Sequence, residues 1–185
     1  MGPIATKSIG GAYYILTFID YISRYVFQTY ITKKSDFRLG LDKFLDFIQT
    51  SPFYITHLHT DNAKEFFTND INLVLRDYNI LHTANPPYSP QLNGIVERVQ
   101  RTLQQMVRCM MITSNAPLFL WAECFNTAVH IYNRIPGLHH DVMISPYEFL
   151  FNQPPNIGYF RTWGCNTYVT VEDQFRRKLD DKTKL

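Results

Sequence analysis

The 185 residues are 45% hydrophobic and 15% aromatic, long and apolar enough to bury one sizeable core and short for two independent domains. With 18 Lys and Arg against 16 Asp and Glu the formal charge is +2, which excludes a tail-like polybasic binder and leaves any nucleic-acid affinity to local patches. The apolar segments are short, and Met1–Gly11 has no basic region followed by an apolar stretch, so an intracellular protein without a membrane span or secretory signal is expected.

Met1–Gly11 reads as a turn-rich lead-in. Tyr13–Ile19 (YYILTFI) has the length and composition of a central strand, and Arg24–Thr32 follows after a short connection, as in an antiparallel hairpin. Ser35 is placed to cap a helix in which Phe37, Leu41, Phe44, Leu45 and Ile48 recur at helical spacing up to Ser51-Pro52. Phe53–Leu58 returns to strand composition, Phe66–Tyr78 to a helical pattern, and Ile80–Thr83 to a short extended piece. A Pro- and Asn-rich loop over Ala84–Gly94 precedes a long helix from about Ile95 to Thr113. Pro117 and Pro136 bracket another helix with Leu120, Trp121, Cys124, Ala128 and Ile131 inward, and both helices should pack on the sheet. Ser145–Leu150 suggests a short helix opening with Pro146, and Asn166–Val171 a last strand. The three cysteines, Cys109, Cys124 and Cys165, are widely spaced and read as buried apolar thiols rather than a disulfide framework or zinc site.

Asp61 follows directly on a strand, within His59-Thr60-Asp61-Asn62, where α/β sheets usually hold ligands. Glu97 lies 36 positions later, near the start of the long helix. At about 100° per residue, Val96, Val99, Leu103, Val107 and Met110 form one arc, while Glu97, Arg101, Gln104 and Arg108 form a second. Two acids backed by cations suit metal-assisted phosphoryl transfer, because hard oxygen ligands hold Mg²⁺ or Mn²⁺ and basic residues receive phosphates. On spacing alone, Asp61 is equally a loop cap and Glu97 an ordinary first-turn acid favoured by the helix dipole.

The segments HTDNAKEF and ANPPYSPQLNGIVERVQRTLQQM closely resemble the DDE integrase catalytic core, in particular its copia-type retrotransposon branch. GGAYYILTFIDYISRY before them, and LFLWAECFNTAVHIYNRIP, ISPYEFLFNQPP and FRTWGCNTYV after them, follow in the order of that family, so the resemblance covers nearly the whole chain. It implies an α/β, RNase H-like mixed sheet flanked by helices, with the N-terminal strand largely missing. Residues 1–136 would form the core and 137–185 a post-core extension. The implied activity is a metal-dependent polynucleotidyl transferase that trims donor DNA ends and joins their 3′-hydroxyls to a target strand. The implied partners are element ends and target DNA and a second copy of the chain, and the implied place of action is the nucleus.

In that family the acids of the TDN and GIVER motifs are metal ligands, which carries over to Asp61 and Glu97. A third acid, an Asp three residues before a Gly-Pro on the first strand, would fall just upstream of Met1-Gly2-Pro3. These 185 residues alone are then expected to join no DNA, and the alternative is a DNA- or protein-binding module without turnover. Asp20 either approaches the metals or caps its bend, and Glu65 either orders the site or is a solvated first-turn acid. The loop PPYSPQLNG either approaches the DNA end, with Gln91 and Asn93 offering amides to sugar or phosphate, or is a surface connection. Asn62, Arg98 and Arg101 complete the candidate DNA contacts. His57 and His59 suit a satisfied core or edge position rather than a zinc site.

Overall fold

The computed structural model describes residues 1–61, 63–84, 90–139, 142–177 and 183–184, with 90–93, 139, 173, 183 and 184 described by backbone alone. β1 (Tyr14–Ile19) and β2 (Val26–Ile31) pair antiparallel, Tyr14 opposite Ile31 and Ile19 opposite Val26. Asp20 closes the connection, its Oδ2 accepting from both the backbone N–H and the hydroxyl of Ser23 at 2.7 Å. Its carboxylate is therefore a bend cap. Of the lead-in, residues 5–11 hold the expected bends and turn, with Gly11 N–H donating to Ser8 O at 2.9 Å, while its start lies along β1, where Ile4 N–H donates to Tyr13 O at 2.8 Å and Ile15 N–H to Met1 O at 2.9 Å. Residues 1–4 thus run antiparallel along the edge of β1 that β2 leaves free.

Bordered on both edges, β1 divides its side chains by parity between two cores. Ile15 enters a core with Val26, Val99, Leu103, Trp121, Cys124 and Ala128, while Phe18, stacked on Phe44 at 4.1 Å, enters the other. The second core is covered by α1 (Phe37–Gln49) and α2 (Asn69–Asp77). All five apolar residues that define the period of α1 are buried. Gly40 lets α1 lie close on the sheet, because a Cβ there would stand 2.6 Å from Leu16 Cδ2. Ser35 is not the cap of α1; it sits in a 3-10 turn, Lys34–Asp36, and the helix follows on from Asp36. α2 does begin at a side-chain cap, Thr68 Oγ1 accepting from Ile71 N–H.

β3 (His57–Thr60) and β4 (Leu81–Ala84) pair parallel, as a crossover through α2 requires. The strand begins later than Phe53, since Phe53 and Ile55 pack against the second core ahead of the pairing. α3 (Pro90–Ser114) starts five residues earlier than the apolar period indicates, so the second half of the expected loop is helical. α4 (Trp121–Tyr132) packs with α3 against β1 and β2, as anticipated. Val96 departs from its expected core arc and is 38% exposed, because burial on α3 begins only at Val99, with Leu103 and Val107 following. Cys124 is buried, but Cys109 and Cys165 are exposed, contrary to expectation, on the outer side of α3 and on a surface loop.

Asn133 ties α4 to the sheet, its Oδ1 accepting from Val26 N–H at 2.9 Å and its Nδ2 donating to Val26 O at 2.8 Å. A hairpin the sequence did not suggest follows, β5 (Gly137–His139) with β6 (Val142–Ile144). α5 (Pro146–Phe151) opens with Pro and is capped by Ser145 Oγ, which accepts from Glu148 N–H at 3.1 Å. The last pairing joins β7 (Val169–Thr170) to β8 (Thr183–Lys184), shorter than the expected strand. No helix among the described residues is long and apolar enough to cross a membrane.

Candidate functional site

Parallel pairing brings the carboxyl ends of β3 and β4 together, and Asp61 leaves β3 at that end. Both strands carry a His-Thr pair, and the register, with Leu58 opposite His82 and His59 opposite Thr83, makes the pairs reciprocal. His59 Nδ1 lies 2.6 Å from Thr83 Oγ1, and Thr60 Oγ1 lies 2.9 Å from His82 Nε2. The His82 ring lies flat on Phe67, with centroids 4.4 Å apart and planes at 7°. Burial, helped by the nearby His59, holds the His82 imidazole below its usual pKa, so it stays neutral near pH 7.

Asp61 is exposed at this braced strand end, and its Oδ1 accepts from Ala63 N–H at 3.2 Å. Its charge reaches the edge of β1: the Met1 amine, whose pKa is lowered by burial and by Lys34, is pushed the opposite way by Asp61. Met1 Sδ in turn accepts from Gln104 Nε2 at 2.7 Å. Gln104 shares its α3 arc with Glu97 and Arg101.

On α3 the buried series Val99, Leu103 and Val107 fixes the helix rotation, which leaves Glu97, Arg98, Arg101, Gln104 and Arg108 exposed. With α3 beginning at Pro90, Glu97 stands two turns inside the helix. The terminal-dipole account of that acid is thereby removed, since the effect fades within the first turn. Arg98 Nε donates to Gly94 O at 3.0 Å, folding its guanidinium back on its own helix. Arg101 makes no hydrogen bond or ion pair among the described residues. Asn62 lies outside the described residues, as do the side chains of Gln91 and Asn93 and most of the loop that leads to them.

Among the described residues, no three His, Cys, Asp or Glu side chains stand close enough to hold an ion together. His57 and His59 stack at 6.5 Å and bond to Thr56 and Thr83, an edge arrangement as expected. Glu65 is half-buried in the 3-10 turn Lys64–Phe66. Asp61 and Glu97 are each exposed carboxylates, the hard-oxygen type of donor that Mg²⁺ takes, which keeps several waters and is commonly held by one or two carboxylates plus substrate phosphates. Sequence reading missed His82: the His-Thr pair repeats in the sequence, but only the β3–β4 register makes the two pairs partners.

A family model described as Integrase core domain matches residues 1–90. The chain is 32% identical over 188 residues to the retrovirus-related Pol polyprotein from transposon RE2 of Arabidopsis thaliana, covering 96% of this chain and 12% of that protein. It therefore spans about an eighth of that relative's length. Among solved structures it is similar to the catalytic core domain of BIV integrase, with a TM-score of 0.59 and 24% identity over 75% of this chain and 85% of that one. It is likewise similar to the HTLV-2 integrase catalytic core domain in complex with magnesium, trimeric form, with a TM-score of 0.58 and 18% identity over 74% of this chain and 83% of that one. These structural likenesses establish the RNase H-like fold.

Proposed function

Since the chain belongs to the integrase core family of retrotransposon and retroviral Pol polyproteins, we propose that it serves DNA integration, by metal-dependent trimming of DNA ends and their transfer to a target strand. The observation that carries this reading is Asp61, an exposed carboxylate at the joint carboxyl end of two parallel strands, braced by His-Thr bonds on both faces. Asp61 and Glu97 are the carboxylates that would hold Mg²⁺ or Mn²⁺, and the HTLV-2 core was solved with magnesium. When bound, such an ion supplies positive charge to phosphoryl oxygens and to the attacking oxygen. In the joining step the 3′-hydroxyl of one DNA end gives up its proton as its oxygen bonds to a target phosphorus, and the target's own 3′-oxygen leaves and takes up a proton.

This chain's residues orient the DNA for that step. Arg101 and Arg98 offer guanidinium groups to phosphates along the outer arc of α3, while Asn62, Gln91 and Asn93 offer uncharged amides to sugar or phosphate. Residues 1–136 act as the core and 137–185 as a post-core extension. The chain works as a homo-oligomer on element ends and target DNA in the nucleus.

The test measures Mn²⁺ binding by calorimetry and, in parallel, Mn²⁺- or Mg²⁺-dependent joining of duplex ends by the full chain. Asp61→Asn and Glu97→Gln are each expected to weaken Mn²⁺ binding tenfold or more, as chelation should, and to abolish any joining that the parent chain shows. Metal binding unaltered by both substitutions sinks the ligand assignment. DNA binding without joining under any metal leaves the chain a binding module.

A further inference from the structure

We propose that His82 is a positioning residue for Asp61. The inference rests on Asp61 being the metal ligand only for its consequence, not for its geometry. His82 reaches both flanks of Asp61: its Nε2 bonds Thr60 Oγ1, one residue before the acid, and its ring stacks on Phe67, six residues after it. Between these anchors the chain turns through the Asp61–Ala63 bond and the 3-10 turn Lys64–Phe66. One imidazole on β4 therefore staples both ends of the segment that presents the carboxylate.

Packing alone does not account for a histidine here. Its Nδ1 is buried without a hydrogen-bond partner among the described residues, and an unsatisfied buried polar atom is a cost that an apolar ring stacked on Phe67 would avoid. What the histidine adds over such a ring is the bond to Thr60. Fixing the segment at folding removes the need to order it when an ion binds, so a staple of this kind raises ligand affinity without touching the ligand.

The test uses the full chain and three substitutions that separate the two arms. His82→Phe keeps the stack and loses the bond, His82→Gln keeps a hydrogen-bonding group for Thr60 and loses the stack, and His82→Ala loses both. Two readouts are taken: the {¹H}–¹⁵N nuclear Overhauser effect at Asp61 and Ala63, and Mn²⁺ affinity by calorimetry. In His82→Ala the Overhauser values at these residues are expected to fall while those in β1 and α1 hold, and Mn²⁺ affinity to drop about tenfold. His82→Gln and His82→Phe should each restore part of both. If His82→Ala fails to fold, Thr60→Val and Phe67→Leu report the two arms separately. Unchanged order at Asp61 and Ala63 in every variant overturns the proposal. Should Asp61→Asn bind Mn²⁺ as the parent does, the ligand assignment fails, and the Overhauser result still decides whether His82 holds the turn.

Discussion

Arg98 and Arg101 sit three residues apart on one exposed helix surface, yet their guanidinium groups differ in what already engages them. Arg98 is folded onto Gly94 O, whereas Arg101 is uncommitted among the described residues. A phosphate meeting Arg101 displaces only water and counterions, while one meeting Arg98 competes with an existing bond. Arg101→Ala is accordingly expected to reduce the slope of log affinity against log salt by about one, uniformly across DNA sequences, in duplex titrations over roughly 50 to 200 mM salt. Arg98→Ala should reduce it by less. At this scale the sequence is most informative where a motif names the residue: Asp61 and Glu97 stand out in the TDN and GIVER motifs, and both lie at the surface. His82 does not, because its role depends on which residue of β4 lies opposite Leu58, and no local pattern carries that register.

Helix α1 was legible because its five apolar residues repeat over three turns and all meet one core. α3 was harder at its first turn. A proline reads as a breaker in sequence, yet it is suited to the opening position of a helix, where its missing N–H is no loss. Val96 shows a second limit, since an arc tells which residues share a face but not where the partner elements stop. The strands β5 and β6 are three residues each, too short for alternation to register. Asn133 was equally hidden, because nothing local marks an asparagine whose amide completes a strand's hydrogen bonding 107 positions away. Asn133→Ala would strand both backbone groups of Val26 in a buried setting, at a cost of about 2 to 4 kcal/mol. Chemical denaturation should show this as a lowered midpoint with an unchanged slope; a loss under about 0.5 kcal/mol would mean that water replaces the amide.

Across the whole molecule, segments distant in sequence converge on α4 and the 3-10 turn Leu118–Leu120 that leads into it. Trp121 Nε1 donates to Thr6 O at 2.8 Å, Ile9 N–H donates to Phe119 O at 2.9 Å, and Tyr159 OH lies 2.7 Å from His130 Nε2. His130 Nδ1 faces Arg134 Nη1 at 3.2 Å. Since guanidinium only donates, Nδ1 accepts and the neutral ring carries its proton on Nε2, towards Tyr159. Burial, and then Arg134, hold the His130 pKa below 6.5, and burial acts the same way on His82. The unfolded chain therefore takes up these protons first as pH falls. Stability from the neutral rings is full above 6.5 and is lost between 6.5 and the lower folded values. Melting temperature is expected to drop between pH 7.5 and 5.5, and His130→Gln to flatten that drop; an equal drop in the variant would assign it to other groups. The division of β1 between two cores has a consequence for how this chain tolerates change. Sliding β1 by one residue against β2 would send Ile15 towards the core built around Phe44 and Phe18 towards the one built around Leu103, misfitting both at once. Insertions or deletions in the hairpin connection from Asp20 to Tyr25 thus meet a double penalty, and length variation in this molecule belongs elsewhere, in segments that border a single core.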